Sequence, residues 1–234
     1  MSFYWFGDSW TAGDELTDTT LSFPSLISNH FNSNCINLAV CGGSNDRMYF
    51  EFLNVLDKIN PVTDTVFFAL TEKSRICFFD ETGKLKNLLV NGGYTNHNIH
   101  PYYEKWYKFF DSDVQQNSNV YKILSLLHLI CKTKKIKHFF FNAFSTLDSI
   151  NLDLINDDYF LVPKNECVAQ FLLKYKGDNN YAEMLYHNEK FTIEQWQEQK
   201  LLVDKYFSPN WAHPNIDGHK TIAEELIKRI NFKN

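Results

Sequence analysis

The feature that most constrains the fold is the run Thr65–Leu70, which reads Thr-Val-Phe-Phe-Ala-Leu and carries no charge. A short, unbroken apolar run is typical of a β-strand that is covered on both faces, as strands of parallel sheets are. Phe3–Phe6, Cys35–Val40 and Lys137–Asn142 indicate three more strands. We therefore expect Thr65–Leu70 to belong to a parallel sheet.

Segments with helical spacing of apolar residues separate these runs. They are Leu16–Phe31, Arg47–Ile59, Val120–Cys131 and Asp217–Ile230, with a further helix expected near Ile193–Tyr206. Strands that alternate with helices predict an α/β domain. The expected architecture is a single-domain, three-layer α/β/α sandwich with a mostly parallel, flavodoxin-like sheet.

Two less regular stretches, residues 75–119 and 143–205, are interpreted as insertions above one edge of the sheet. The first contains a hairpin-like turn at Asp80–Lys84 and the aromatic segment Tyr102–Tyr107. Aromatic rings can stack on sugars, or they can pack an insertion onto the core; we favour packing. No separate domain is expected in either stretch.

Composition excludes several functional classes. The 234 residues have a net charge of −5, and the densest basic stretch, Lys132–Lys137, is interpreted as a solvated helix end, so nucleic-acid binding is disfavoured. The five cysteines form no Cys-x-x-Cys pair or zinc-type spacing, so we expect no metal site and reduced, mostly buried thiols.

No apolar run approaches the roughly 20 residues of a membrane-spanning helix. The chain starts directly with a predicted strand and no leader, which favours a cytoplasmic protein; a phage-encoded virion or accessory protein would look the same.

Several polar or small residues follow the predicted strands directly. Since ligands of open α/β sheets bind at the carboxyl ends of the strands, we expect Ser9, Gly42, Thr71 and Asn142 to line one edge. Ser9 lies in Gly7-Asp8-Ser9-Trp10, at a strand-to-helix bend. It could be a nucleophile, or Asp8 and Ser9 could only cap the next helix.

A histidine near the other end of the chain favours the nucleophile. The segment Trp211-Ala212-His213-Pro214-Asn215 precedes the last predicted helix, and His213 could reach across the sheet edge to Ser9. It would act there as a general base and then protonate the leaving alcohol.

These segments resemble motifs of the SGNH (GDSL-type) hydrolase family. Gly7-Asp8-Ser9 is similar to the first motif, Asn37–Gly42 to the second, and the stretch from His213 to His219 to the last. The resemblance implies that Ser9 is the nucleophile, that the N–H groups of Ser9 and Gly42 form an oxyanion hole, and that His213 is the base. It implies no metal or organic cofactor.

Two positions depart from the family pattern. Thr71 stands where the third motif has an asparagine that donates to the oxyanion; a threonine hydroxyl can also donate one hydrogen bond. Other candidate donors lie in Lys73-Ser74-Arg75, at Asn45 and at Asn142.

The second departure is Asn210, which stands where the last motif has an aspartate. Its amide oxygen could orient His213, as in Cys-His-Asn sites. Otherwise another acid such as Asp204 serves, or Ser9 and His213 act as a dyad. Asp217 is expected to cap the last helix instead.

The predicted function is a serine esterase that hydrolyses a short-chain acyl ester of a small molecule or a carbohydrate, such as an O-acetyl sugar. The alternative is a binding protein that kept the fold and lost activity, since two motifs are altered. A nucleotide-binding role for Gly42-Gly43 is disfavoured because no GxGxxG or P-loop lysine pattern accompanies it.

Overall fold

The fold was analysed in a computed structural model that describes residues 1–88, 112–143, 146, 154–173, 201–208 and 213–232. The described strands are β1 (Ser2–Phe6), β2 (Asn34–Asn37), β3 (Thr65–Leu70), β4 (Ile76–Phe79), β5 (Leu85–Leu88) and β6 (Lys137–Asn142). The helices are α1 (Ser9–Ala12), α2 (Phe23–His30), α3 (Asn45–Val55), α4 (Asp113–Thr133), α5 (Ala169–Leu172) and α6 (Ile216–Phe232). Short 3₁₀ turns cover Thr19–Leu21, Leu56–Lys58 and Asp157–Tyr159.

Four strands form a parallel sheet in the order β2-β1-β3-β6. Phe3 of β1 pairs with Thr65 of β3, and Thr65 pairs with Lys137 of β6, so the carboxyl ends of these strands meet at one edge. Phe160 adds a parallel bridge to Phe140 beyond β6. In this order β2 and β3 lie on opposite sides of β1. The carboxyl ends of β1 and β3 are therefore at the middle of the edge, where ligands of such sheets bind.

Each face of the sheet supports its own apolar core. One face presents Trp5, Phe67 and Phe141 to α2 and α6, while the other presents Phe6 and Phe68 to α3 and α4. Trp5 and Phe67 stack with ring centres 4.0 Å apart. Adjacent residues of a strand point to opposite faces, so the runs of phenylalanine supply both cores. The predicted three-layer α/β/α sandwich is confirmed.

Strand positions were predicted well where the apolar runs are continuous. The bounds of Thr65–Leu70 and Lys137–Asn142 are those predicted. The second strand is shorter than Cys35–Val40 and ends at Asn37. Leu38 and Val40 still donate backbone hydrogen bonds to Trp5 and Gly7, so the chain continues beside β1 after β2 ends.

Helix bounds differ more from the prediction. The expected helix Leu16–Phe31 begins only at Phe23, where Pro24 lies in the first turn and supplies a fixed φ suited to a helix start. The helix predicted at Val120–Cys131 extends over Asp113–Thr133. Ser112 caps that helix, since its side chain accepts a hydrogen bond from the backbone N–H of Gln115.

The two stretches interpreted as insertions are described only in part. The predicted turn at Asp80–Lys84 joins β4 and β5 in an antiparallel hairpin. Residues 201–206 are helical, as predicted, whereas Tyr102–Tyr107 lies outside the described residues. The stretch around Lys132–Lys137 is the expected exposed transition from helix to strand.

None of the helices that the structure describes has the length and apolar character needed to cross a bilayer. The five cysteines are all free thiols, of which Cys131 and Cys167 are buried and Cys41 is exposed, so burial is less general than predicted.

A buried histidine joins α6 to α2. Nδ1 of His219 accepts a hydrogen bond from the backbone N–H of Phe23 at 3.3 Å, and the two rings stack. The imidazole is 0% exposed, and burial lowers the pKa of His219 to about 4. His138, beside β3, has a pKa that is likewise lowered to about 4 by burial. Both side chains are therefore neutral in the folded protein at pH 7.

The turn after β2 packs directly against the end of β1. Gly43 lies so close that an added Cβ would be 2.7 Å from the carbonyl oxygen of Gly7 and 2.8 Å from that of Val40. Both obstacles are backbone atoms, so a side chain has no room at this position.

We expect Gly43→Ala to destabilise the protein by about 1–3 kcal/mol, because the methyl group overlaps backbone atoms that pack on β1. Urea unfolding followed by circular dichroism measures this. Gly83→Asn is the matched control, since Gly83 has φ +75° with open space around its Cβ position and asparagine adopts this conformation readily. Equal stability of Gly43→Ala and the native protein would contradict the packing described.

The depressed pKa of His219 predicts a stability that falls on acidification. The unfolded chain takes up a proton on this histidine below pH 6.5, whereas the folded chain does so only near pH 4, so stability falls as pH decreases between these values. The loss is on the order of 3 kcal/mol when complete. His219→Phe should show less stability at pH 7 and a shallower pH dependence in urea unfolding from pH 7 to 4. An unchanged slope would contradict the buried, neutral state of His219.

Candidate active site

The turn after β1 presents Ser9 as the first residue of α1. Asp8 is the N-cap of this helix, and its Oδ1 accepts a hydrogen bond from the Trp10 N–H at 3.0 Å. The Ser9 carbonyl accepts hydrogen bonds from the N–H groups of Gly13 and Asp14, both at 3.0 Å. Asp8 is thus a helix cap, as the plainer interpretation expected, and this role leaves the Ser9 hydroxyl uncommitted.

The Asp8 carboxyl group is fully buried under this turn. Its Oδ2 lies 3.4 Å from Nη1 of Arg75, which also contacts Glu72 at 3.4 Å. Burial raises the pKa of Asp8, while Arg75, the Thr71 hydroxyl and the Trp10 N–H oppose that rise. The carboxyl group therefore joins the turn after β1 to the segment that follows β3.

The Gly-rich turn after β2 brings Gly42 to the same edge. Gly42 has φ +65°, a conformation that favours glycine. Nδ2 of Asn37 donates to the Thr11 carbonyl at 2.7 Å, which fixes the end of β2 against α1. Within the described part of the chain, the N–H groups of Ser9 and Gly42 are used in no backbone hydrogen bond. Both remain available to a ligand.

Thr71 directly follows β3 and is held by Asn45. The Asn45 amide donates to the Thr71 carbonyl at 3.0 Å and accepts from the Thr71 N–H at 3.1 Å. The Thr71 hydroxyl is buried beside Asp8, and no well-aligned hydrogen-bond partner for it is present among the described residues. The hydroxyl therefore faces the Asp8 carboxyl group, and Thr71 as a residue is only 1% exposed.

Three of the other candidate donors, Asn142, Asn45 and Arg75, have structural roles. Nδ2 of Asn142 donates to the carbonyls of Lys164 and Glu166, both at 2.8 Å. The Asn45 amide is used on Thr71, and Arg75 faces Asp8.

His213 lies in a pair of short segments, residues 207–208 and 213–214, which are called the arm below. Phe207 and Pro214 form an antiparallel bridge, and the Ser208 N–H donates to the His213 carbonyl at 2.9 Å. The Phe207 ring packs against Trp10, with centres 5.7 Å apart. The arm is therefore anchored on the helix that starts with Ser9.

The residues after His213 fix this arm to α6. Nδ2 of Asn215 donates to the carbonyls of Lys205 and Phe207, and its Oδ1 accepts from the Gly218 N–H at 3.0 Å. Asn215 thus caps α6, and the prediction that Asp217 does so is wrong. Asp217 lies in the first turn of α6 and faces Lys220 at 3.8 Å. The asparagine is favoured because its amide can also bind the arm.

The imidazole of His213 faces a carboxylate that the sequence analysis missed. Nδ1 of His213 lies 3.2 Å from Oε1 of Glu15, as an ion-pair contact without the alignment of a hydrogen bond. The electrostatic interaction with His213 also lowers the pKa of Asp8. These contacts place His213 beside the turn that presents Ser9.

The structure bears differently on the two residues considered earlier for this role, the amide Asn210 and the acid Asp204. Asn210 lies outside the described residues, and Asp204 is exposed on the helical segment 201–206. The sequence shows Glu15 only as an acidic residue shortly after Ser9, and no motif distinguishes it.

Comparison with known proteins gives a match at the level of structure. No protein-family model matches the chain, and no curated protein matches it in sequence. The solved structure of TesA matches with a TM-score of 0.55 at 9% identity and covers 100% of both chains.

A G-D-S-L family protein from Desulfitobacterium hafniense DCB-2 matches with a TM-score of 0.52 at 12% identity, over 97% of this chain and 98% of that one. At such identities the likeness concerns the fold. The strand order, the turn that presents Ser9 and these full-length matches together show that the chain has the SGNH (GDSL-type) hydrolase fold.

Proposed function

We propose that this protein is a serine esterase in which Ser9 is the nucleophile and His213 the general base. The observation that carries the proposal is the placement of His213. Its imidazole has a carboxylate on the Nδ1 side, at 3.2 Å, and lies beside the turn that presents Ser9. A histidine with a carboxylate at Nδ1 keeps the Nε2 lone pair free to accept a proton.

The reaction proceeds in two balanced steps. Nε2 of His213 takes the hydroxyl proton as Ser9 Oγ attacks the ester carbonyl, and the proton then goes to the departing alkoxide, which leaves as the alcohol. His213 next takes a proton from water, whose oxygen attacks the acyl-Ser9 carbonyl. The proton returns to Ser9 Oγ as the carboxylic acid is released. No metal ion or organic cofactor takes part.

The oxyanion of each tetrahedral intermediate is held by the N–H groups of Ser9 and Gly42, with the Thr71 hydroxyl as a third donor. The support for this assignment is that both N–H groups are uncommitted in the described part of the chain and that the Thr71 hydroxyl lacks an aligned partner. Preorganised donors of this kind stabilise developing negative charge because they need no rearrangement during the reaction.

The substrate class we propose is a short-chain acyl ester of a small molecule or carbohydrate. A panel of acetyl, butyryl and longer esters, together with acetylated sugars, separates these options. Asn210 stays a proposed contributor beside His213, and its effect is measured against that of Glu15 below.

Ser9→Ala and His213→Ala should each abolish hydrolysis of p-nitrophenyl acetate, because each removes one partner of the proton-transfer pair. Ser9→Ala should also abolish labelling by a fluorophosphonate probe, detected as a mass adduct. Ser125→Ala is the matched control: Ser125 lies on α4, is 9% exposed, and its hydroxyl lacks a described partner.

The outcome that would overturn the proposal is undiminished turnover in Ser9→Ala. A native protein that neither hydrolyses the ester panel nor takes up the probe would favour the binding-protein alternative.

Thr71→Val should lower kcat about 100-fold, the usual cost of one lost oxyanion donor, while KM changes little. Thr71→Ser keeps the hydroxyl and should retain most of the activity. Steady-state kinetics on the same ester separates the two variants, and their urea midpoints show whether the fold is intact. If Thr71→Val loses stability but keeps its kcat, the Thr71 hydroxyl only stabilises the buried Asp8 carboxyl group and does not bind the oxyanion.

A further inference from the structure

Glu15 occupies a backbone conformation that does not suit a glutamate. Its φ is +69°, in the left-handed region, where residues other than Gly, Asn and Asp are uncommon. The Leu16 N–H donates to the Gly13 carbonyl, so Glu15 is the third residue of a turn in which a positive φ normally selects glycine or asparagine. The position therefore carries backbone strain that a glycine would relieve.

This turn is fixed relative to Ser9. Gly13 and Asp14 both donate their N–H groups to the Ser9 carbonyl, and Gly13 ends α1 with φ +80°. The Glu15 side chain thus starts from a backbone whose position is set by the residue proposed as the nucleophile. Its carboxylate reaches Nδ1 of His213 at 3.2 Å.

In the last motif of the SGNH family, an acid usually stands at the position of Asn210. Asn210 has no negative charge. An amide can orient an imidazole, but it cannot stabilise an imidazolium with a full charge. The carboxylate of Glu15 can do both, and it comes from the first motif's own turn instead of from the last motif.

We propose that Glu15 is the positioning residue of His213, so that the acid of the catalytic set has moved to the turn that presents the nucleophile. This inference rests on the proposed function, because it assigns a role within the same site. Glu15 accepts the Nδ1–H of His213, which fixes the neutral tautomer with its lone pair at Nε2, and it stabilises the cationic ring after proton transfer. The small rotation needed to align the contact is in keeping with sites that tighten only when substrate is bound.

Partial exposure gives this arrangement a distinctive salt dependence. The side chains of Glu15 and His213 are 31% and 18% exposed, so dissolved ions reach the pair. Screening weakens interactions between exposed charges. The kcat of the native enzyme should therefore fall between 20 mM and 1 M NaCl, and that of a variant without the carboxylate should change less.

The central experiment compares Glu15→Gln, Glu15→Asp and Glu15→Gly in p-nitrophenyl acetate hydrolysis. Loss of a buried acid in a serine protease costs about 10⁴-fold in kcat, and because this pair is partly exposed we expect a loss of about 100-fold in Glu15→Gln. KM should change little. Glu15→Asp should retain more activity than Glu15→Gln, and the salt dependence should persist in Glu15→Asp only.

Glu15→Gly separates positioning from a structural role. Because glycine adopts φ +69° without strain, this variant should have a melting temperature equal to or above that of the native protein while its kcat falls about 100-fold, in line with Glu15→Gln. A residue that only supported the fold would lose stability and activity together. Asp14→Asn is the matched control: it removes one charge from the same turn, and its kcat should stay within about twofold of native since it leaves the Glu15 contact in place.

The outcomes distinguish this inference from the proposed function. If Ser9→Ala abolishes turnover and Glu15→Gln matches the native kcat, the role of Glu15 is refuted and the esterase stands. A large loss of kcat in Asn210→Ala alone, with Glu15→Gln unaffected, would also refute it by assigning the role to Asn210. If Ser9→Ala is as active as the native protein, the proposed function itself fails, and with it the role of Glu15.

Discussion

The buried carboxyl group of Asp8 is the contact on which the candidate site depends. It caps α1 through the Trp10 N–H, faces Arg75 at 3.4 Å and lies beside the Thr71 hydroxyl. A carboxylate removed from water is unstable unless it is paired and hydrogen-bonded. The turn after β1 and the segment after β3 must therefore keep their relative positions, which fixes Ser9 against the predicted oxyanion donors.

The parallel sheet supplies the frame for this contact. β1 lies between β2 and β3 and runs parallel to both, so the carboxyl ends of the three strands come together at one edge. Gly43 allows the turn after β2 to approach the Gly7 carbonyl closely. The apolar cores on both faces hold these strands, and the polar contacts act only at the edge. Stability and chemistry are thus supplied by different parts of the same strands.

Much of the fold was predictable because its signals are local. β3 and β6 are continuous apolar runs between turn residues, and their bounds were predicted to the residue. Ser9, Gly42 and Thr71 follow strands, and a parallel sheet brings such positions to one edge. Glu15 was missed because its importance depends on a contact with His213 from the far end of the chain. The local sequence indicates neither this contact nor the φ of +69° at Glu15.

The proposed replacement of one acid by another agrees with the chemistry of a catalytic imidazole. A histidine that acts as a general base, the role proposed for His213, is stabilised in its cationic form by a negative group on the Nδ1 side, and this effect does not depend on which segment provides the group. Phe207 and Pro214 are joined by a bridge, and Asn215 donates a hydrogen bond to the Phe207 carbonyl. In the proposed site the acid comes from the Ser9 turn, where only a few bonded residues separate the proposed nucleophile from the proposed acid. The strain at Glu15 is a cost that such a short connection imposes.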